Sequence, residues 1–138
     1  MSMMKIFDIS GSAVSAQSQR LNVVASNLAN VDTVAGPDGK PYKGREVTFQ
    51  TVLMNTPDGA PGAGVRVAGV SENQAPGRKV HDPASPSADA DGYVTYSNVN
   101  AVDEMVNMIS ASRSYQNNIE VMNTAKTLLM KTLQMGQG

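Results

Sequence analysis

Every proline of this 138-residue chain falls between Pro37 and Pro86, and the stretches on either side, 1–35 and 93–135, contain none. Proline deletes a backbone donor and its ring collides with the preceding helical turn, so only the flanks are free to run as long helices. Glycine repeats the division. Nine of the twelve glycines lie in 36–92, while the flanks hold Gly11 alone. The chain therefore reads as helix, loop-rich middle, helix, divided at 1–33, 34–97 and 98–138. The expected class is mainly α with a small β element, a layout suited to a part that assembles through its ends.

Within the first flank, Phe7, Val14, Leu21 and Leu28 recur every seven residues, with Val24 and Val31 three further on. Ser10 and Gln17 complete that second row, giving an a/d heptad stripe with polar interruptions. The opposite face is Ser, Ala, Gln and Asn, with only Lys5, Asp8 and Arg20 charged. A solvated helix face carries more charge than that, so this side too is expected to be covered. Asn30 offers a C-terminal stop, because asparagine tolerates the left-handed conformation.

The middle is punctuated by turns. Gly36-Pro37-Asp38-Gly39 and Pro57-Asp58-Gly59 combine a preset φ with a residue that accepts φ > 0. Between and after them, 47–52 and 64–70 alternate as half-buried strands should, the second with Val65, Val67 and Val70 as its apolar set. A third short strand is expected at Gly92–Tyr96. The stretch Asp82–Asp91, with two prolines, reads as extended.

Helix resumes near Asn98, with Asn98 or Asn100 as N-cap and Asp103 and Glu104 where the helix dipole favours negative charge. Val99, Val102, Val106 and Ile109 form one stripe. Met105, Met108, Ser112, Tyr115, Ile119, Met122, Lys126, Leu129 and Leu133 step along the next. At ~1.5 Å per residue this helix would span roughly 55 Å and the first roughly 37 Å. Two long helices are expected to pair as a coiled-coil-like axial domain, yet each would retain an uncovered face. Helix stability in proteins comes mostly from packing, so the ends are expected to be completed by neighbours. The expected seam is Phe7, Val14, Leu21, Val24 and Leu28 with Met105, Ile109, Ile119, Met122, Leu129 and Leu133.

Composition removes several rival chemistries. With 11 basic and 12 acidic residues the net charge is −1, and nothing pulls the chain in bulk toward nucleic acid or anionic membrane. The absence of cysteine excludes thiol catalysis, disulfides and cysteine-based zinc sites. Asp8 and Ser10 interrupt the apolar N-terminus, so no cleavable secretory signal is expected. No apolar run approaches a membrane span.

Local motifs favour plain readings. Asp89-Ala90-Asp91-Gly92 resembles part of a calcium loop, but in that register Asn98 stands where a bidentate glutamate is needed; a turn before a strand is the better account. His81 beside Asp82 could form a base and its orienter, yet no nucleophile or phosphate-loop motif accompanies it. Lys40–Arg45 is a basic cluster diluted by Asp38 and Glu46. No catalytic, metal or cofactor site is expected.

Three separated segments carry a resemblance. They are Ser15–Asn30, centred on Ala25–Asn30; Asp82-Pro83 through Gly92-Tyr93-Val94 to Asn98-Val99-Asn100; and Glu104–Ile109 with Ala111, Arg113, Tyr115, Gln116 and Asn118. Together, in this order, they resemble the flagellar rod-and-hook axial proteins, and among them the proximal-rod group. The resemblance adds Asn27 and Tyr115 to the expected assembly surface. It implies a helical, tubular rod in the periplasm, with paired terminal helices around an export channel and torque carried by rigid packing. It implies secretion without a cleaved signal, through the flagellar type III apparatus. Its implied neighbours are further copies, other proximal-rod proteins, the distal rod protein and the inner-membrane ring or its adaptor. Ser97 stands where such proteins usually have proline, which implies a looser entry to the last helix. The rival readings are a soluble cytoplasmic coiled-coil adaptor and, more remotely, a small hydrolase built on His81.

Overall fold

The computed structural model describes residues 3–55, 59 and 61–136. Its order is α1 (Met3–Ala29), β1 (Arg45–Met54), β2 (Gly62–Glu72), β3 (Lys79–His81), β4 (Tyr93–Thr95) and α2 (Ala101–Gly136). Both proline-free flanks are long helices, as the sequence requires, and the proline-bearing middle supplies only strands and turns.

The strands form two small sheets, β1 with β2 and β3 with β4. The link between β1 and β2 is too short for a parallel crossover, so they make an antiparallel hairpin. Pro57 and Asp58 of the expected turn lie outside the described residues; Gly59 has φ 71°. The expected apolar set of β2 needs correction. Val65 and Val67 are half-buried, but Val70 is exposed, because β2 is exposed on both faces from Ala68 to Glu72. Strand β3, absent from the sequence reading, pairs Val80 with Val94 and His81 with Tyr93.

The helix ends are set by asparagines. Beyond Ala29, Asn30 does stop α1, but not through left-handed backbone, since no described non-glycine residue has positive φ. Its Nδ2 instead donates to the Ser26 carbonyl at 2.8 Å, taking up one of the acceptors that a helix end leaves open. At the other helix, Asn100 is the cap. Its Oδ1 accepts from Val102 N at 3.0 Å and Asp103 N at 3.2 Å, and α2 starts at the next residue.

The chain divides into two compact units. One comprises Met1–Leu21, Thr48–Gly69 and Ser110–Gly138; the other Asn22–Val47 and Val70–Ile109. In the first, the buried apolar residues among those described are Ala16, Ala111 and Ala125, and Lys5 and Ser10 of α1 are the buried polar ones. Ser12 joins α1 to β2 there: its hydroxyl donates to Ile9 O at 2.7 Å and accepts from Val65 N at 3.1 Å. Gly62 and Gly64 let helix and hairpin approach, since a Cβ at Gly62 would run into Lys5 Cε and one at Gly64 into the Met54 methyl.

In the second unit, Val24 and Val94 are the buried apolar residues and Asn27 and Ser97 the buried polar ones. The segment leaving α1 zips to the segment entering α2. Val34 bridges Tyr96, Ala35 N donates to Thr95 O at 2.8 Å, and Ser97 Oγ donates to Val31 O at 2.7 Å. Ser97 therefore does not loosen the approach to α2; its hydroxyl fastens it to the exit of α1.

Among the described residues no Leu, Ile, Phe or Met side chain is buried. Full burial of such a side chain contributes ~1.5–3 kcal/mol, so the exposed ones, Met105, Ile109 and Leu133 among them, leave part of that stabilisation unused.

Candidate assembly surfaces

The second unit is organised by two asparagine nodes. Asn27, 1% exposed, uses all its amide valences. Its Nδ2 donates to Arg45 O at 2.8 Å and to Glu104 Oε2 at 3.2 Å, while its Oδ1 accepts from Arg45 N at 2.9 Å and from the Tyr42 hydroxyl at 3.0 Å. The Ser26 hydroxyl lies 3.1 Å from the same Tyr42 oxygen. Asn27 thus holds the last turn of α1, the start of β1 and the first turn of α2. Buried amides must be paired in full to be tolerated, and this one is. It is a buried joint inside the subunit.

Asn98, the other cap candidate, serves elsewhere. Its Oδ1 accepts from Gly44 N at 2.7 Å, and its Nδ2 donates to Asn73 O at 2.8 Å and Ala75 O at 2.9 Å. Asn73 N returns a bond to Gly44 O at 2.7 Å. Sequence reasoning missed this clamp, because its partners lie 23 or more residues away and leave no local spacing to read.

The remaining expected surface residues separate by helix. On α1, Val24 is buried, and Phe7, Val14, Leu21 and Leu28 are half-buried. On α2, Tyr115, Ile119, Met122 and Leu129 are half-buried, whereas Met105 (52%), Ile109 (55%) and Leu133 (59%) are exposed. The inward line of α2 runs through the buried Ala111 and Ala125, spaced by two heptads, with Ser114, Tyr115, Asn118 and Met122 half-buried between them. The Asn118 side chain donates to Ser114 O at 2.7 Å, so part of this line is satisfied within its own helix. A size-weighted apolar pattern overlooks such a line.

A cluster of exposed apolar side chains lies at the start of α2, where Val102, Met105, Val106, Met108 and Ile109 are all exposed. At about 100° per residue they occupy less than half of the helix circumference. Exposed clusters of this kind mark interaction surfaces more often than scattered single residues do.

Features that could have supported chemistry have structural roles. The Asp89 carboxylate accepts from Asp91 N at 3.0 Å and Tyr93 N at 2.9 Å, shaping the turn in which Gly92 has φ 84°. Among the described residues no three His, Asp or Glu side chains converge on a metal-sized site. His81 meets Tyr93 edge to face at 5.0 Å between ring centres. An open groove of about 830 Å³ in the same unit is lined by Pro37, Pro41, Tyr42, Pro76, Pro86 and Tyr93 among others, but not by His81. In the basic cluster, Lys43 Nζ donates to Gln74 at 2.8 Å and Tyr42 serves Asn27. Arg78 lies over the Tyr96 ring at 4.9 Å and pairs with Asp32 at 3.6 Å, both ends exposed. No described helix is long and apolar enough to cross a membrane.

Comparison with known proteins agrees with this architecture. Residues 7–37 match the family model described as "Flagella basal body rod protein", and 90–135 match "Flagellar basal body rod FlgEFG protein C-terminal". The flagellar basal-body rod protein FlgC of Escherichia coli O157:H7 is 58% identical over 137 residues, covering 99% of this chain and 100% of its own. FlgC of Salmonella typhimurium is 57% identical over 140 residues with the same coverage. FlgC of Borreliella burgdorferi is 37% identical over 153 residues, with 100% of both chains covered. Identity of this order along the whole of both chains, with rod-family matches at each end, leads to one assignment: the chain belongs to the FlgC family of flagellar basal-body rod proteins.

Proposed function

We infer that the protein is a structural subunit of the bacterial flagellar basal-body rod and not an enzyme. The observation that carries this is the match, over essentially the full chain, to relatives bearing that name. The physical reading points the same way. Large apolar side chains are left open along α2, while the buried positions are alanine, valine and fully bonded polar groups.

In the finer proposal, the two terminal helices pair side by side in the assembled rod, and the open face of α2 packs on neighbouring subunits. Val14, Leu21 and Leu28 on one helix, and Met105, Ile109 and Leu133 on the other, would lose their remaining exposure there. The neighbours are further copies of the chain and other rod proteins, with the distal rod protein and the inner-membrane ring or its adaptor at the ends. The rod would cross the periplasm as a tube around the export channel, and the subunit would reach it through the flagellar type III apparatus without signal cleavage. Helix faces poor in charge suit a tube packed on several sides.

The experiment is complementation. A strain lacking its own rod subunit of this family is given the chain, and rods are imaged in isolated basal bodies. Restored rods with the wild-type chain and none with Leu21→Asp are expected. Normal rods with Leu21→Asp overturn the packing role of that stripe. The adaptor alternative predicts a stable soluble dimer and no rod-dependent phenotype, which sedimentation and the same complementation distinguish.

A further inference from the structure

We propose that Met105 and Met108 form a reversible oxidation site whose sulfoxides block packing of the open α2 face; the blocking effect rests on the assembly reading above, the modification itself does not. The chain has no cysteine and nine methionines, so thioethers are its principal targets for two-electron oxidants. Met105 and Met108 are 52% and 38% exposed and lie three residues apart on α2. They sit inside the apolar cluster with Val102, Val106 and Ile109. Met4, Met130 and Met135 are also exposed, but Met4 lies on α1 outside this cluster, and Met130 and Met135, with Leu128 and Leu133, are spread around α2, so oxidising them does not spoil this face. Met54 and Met122 are half-buried, and the Met54 methyl packs over Gly64.

The chemistry is an oxygen transfer. The thioether sulfur attacks a peroxide oxygen, the O–O bond breaks, sulfur is oxidised by two electrons and the peroxide leaves as water. Hypochlorous acid does the same overall, with water supplying the oxygen and chloride leaving. An apolar, flexible side chain becomes a polar one, within the exposed apolar cluster at the start of α2. Methionine sulfoxide reductases reverse the step.

The test has two readouts. Purified chain is treated with dilute hydrogen peroxide and mapped by peptide mass. Met105 and Met108 should gain oxygen several-fold faster than Met54 and Met122, and methionine sulfoxide reductases should remove it. Equal rates at all four positions overturn the site. Then Met105→Gln/Met108→Gln, imitating the sulfoxides, and Met105→Leu/Met108→Leu, which cannot be oxidised, are compared in complemented cells with and without hypochlorous acid. The Gln pair should lower rod incorporation several-fold without oxidant, and the Leu pair should keep it when the wild type loses it. Normal incorporation of the Gln pair, or equal loss by the Leu pair and the wild type, overturns the blocking effect. If the untreated wild-type chain enters no rods, the assembly reading fails instead, and the peptide map still decides the modification.

Discussion

The Asn27 side chain pairs with the backbone of Arg45 as a strand would, accepting from its N–H at 2.9 Å and donating to its carbonyl at 2.8 Å. One buried amide thereby extends the hydrogen bonding of β1 back into a helix. It is strong only because Tyr42 and Glu104 occupy the other valences.

Asn27→Ala strands four partners, and leaving buried polar groups unpaired costs ~1–3 kcal/mol each. A loss of about 2–4 kcal/mol is expected, given that water reaches some of them. Asn27→Asp should do no better, since it removes both donated bonds and sets a carboxylate against Glu104. Urea unfolding followed by circular dichroism measures both; a midpoint unchanged for either variant contradicts the joint.

The two asparagines near α2 should rank in a set order. Asn100→Ala removes an N-cap and should cost ~1 kcal/mol, while Asn100→Asp stays near wild type. Asn98→Ala opens three backbone bonds in the loops and should cost more, on the order of 2 kcal/mol. The reverse order of urea midpoints would place the cap at the wrong residue.

Gly77 is held against its neighbour: a Cβ there would collide with the Tyr96 carbonyl oxygen, which is backbone and cannot swing aside. Gly77→Ala should cost about 1–3 kcal/mol through overpacking. Gly69→Ala, with nothing within 4 Å of its Cβ, should be neutral or slightly stabilising. Thermal melting of the pair gives the comparison, and equal melting temperatures refute it.

Ile109→Asp and Val24→Asp separate folding from assembly. Ile109 is exposed, so the first should change stability by no more than about 0.5 kcal/mol, yet stop incorporation into rods. Val24 is buried, and an uncompensated charge there should cost about 3–5 kcal/mol. Stability and basal-body imaging are read together. A well-folded Ile109→Asp subunit that builds normal rods would falsify the assembly role of the α2 face.

Much of this was legible because proline and glycine report directly on backbone freedom. The confinement of proline, and the concentration of glycine, in the middle mark both helices within a few residues. Alternation located β1, β2 and β4. Strand β3 was not legible, since Lys79-Val80-His81 holds one apolar residue and exists by pairing Val80 with Val94. Asn30 was readable as a stop but not as one acting through its own side chain. The heptad stripes were readable too, but not which line of α2 turns inward. Alanine adds little to an apolar pattern, although Ala111 and Ala125 are the residues buried. Which residues meet a neighbouring subunit is a property of two molecules, and periodicity in one chain describes only the faces available.

Those alanines make the tolerance of the first unit lopsided. Glycine alone is smaller than Ala16, Ala111 or Ala125, so truncation has almost nowhere to go, whereas every enlargement must push something else away. Random change at these three sites therefore has one dominant direction of harm, and repair would come from trimming a neighbour instead of reverting the site.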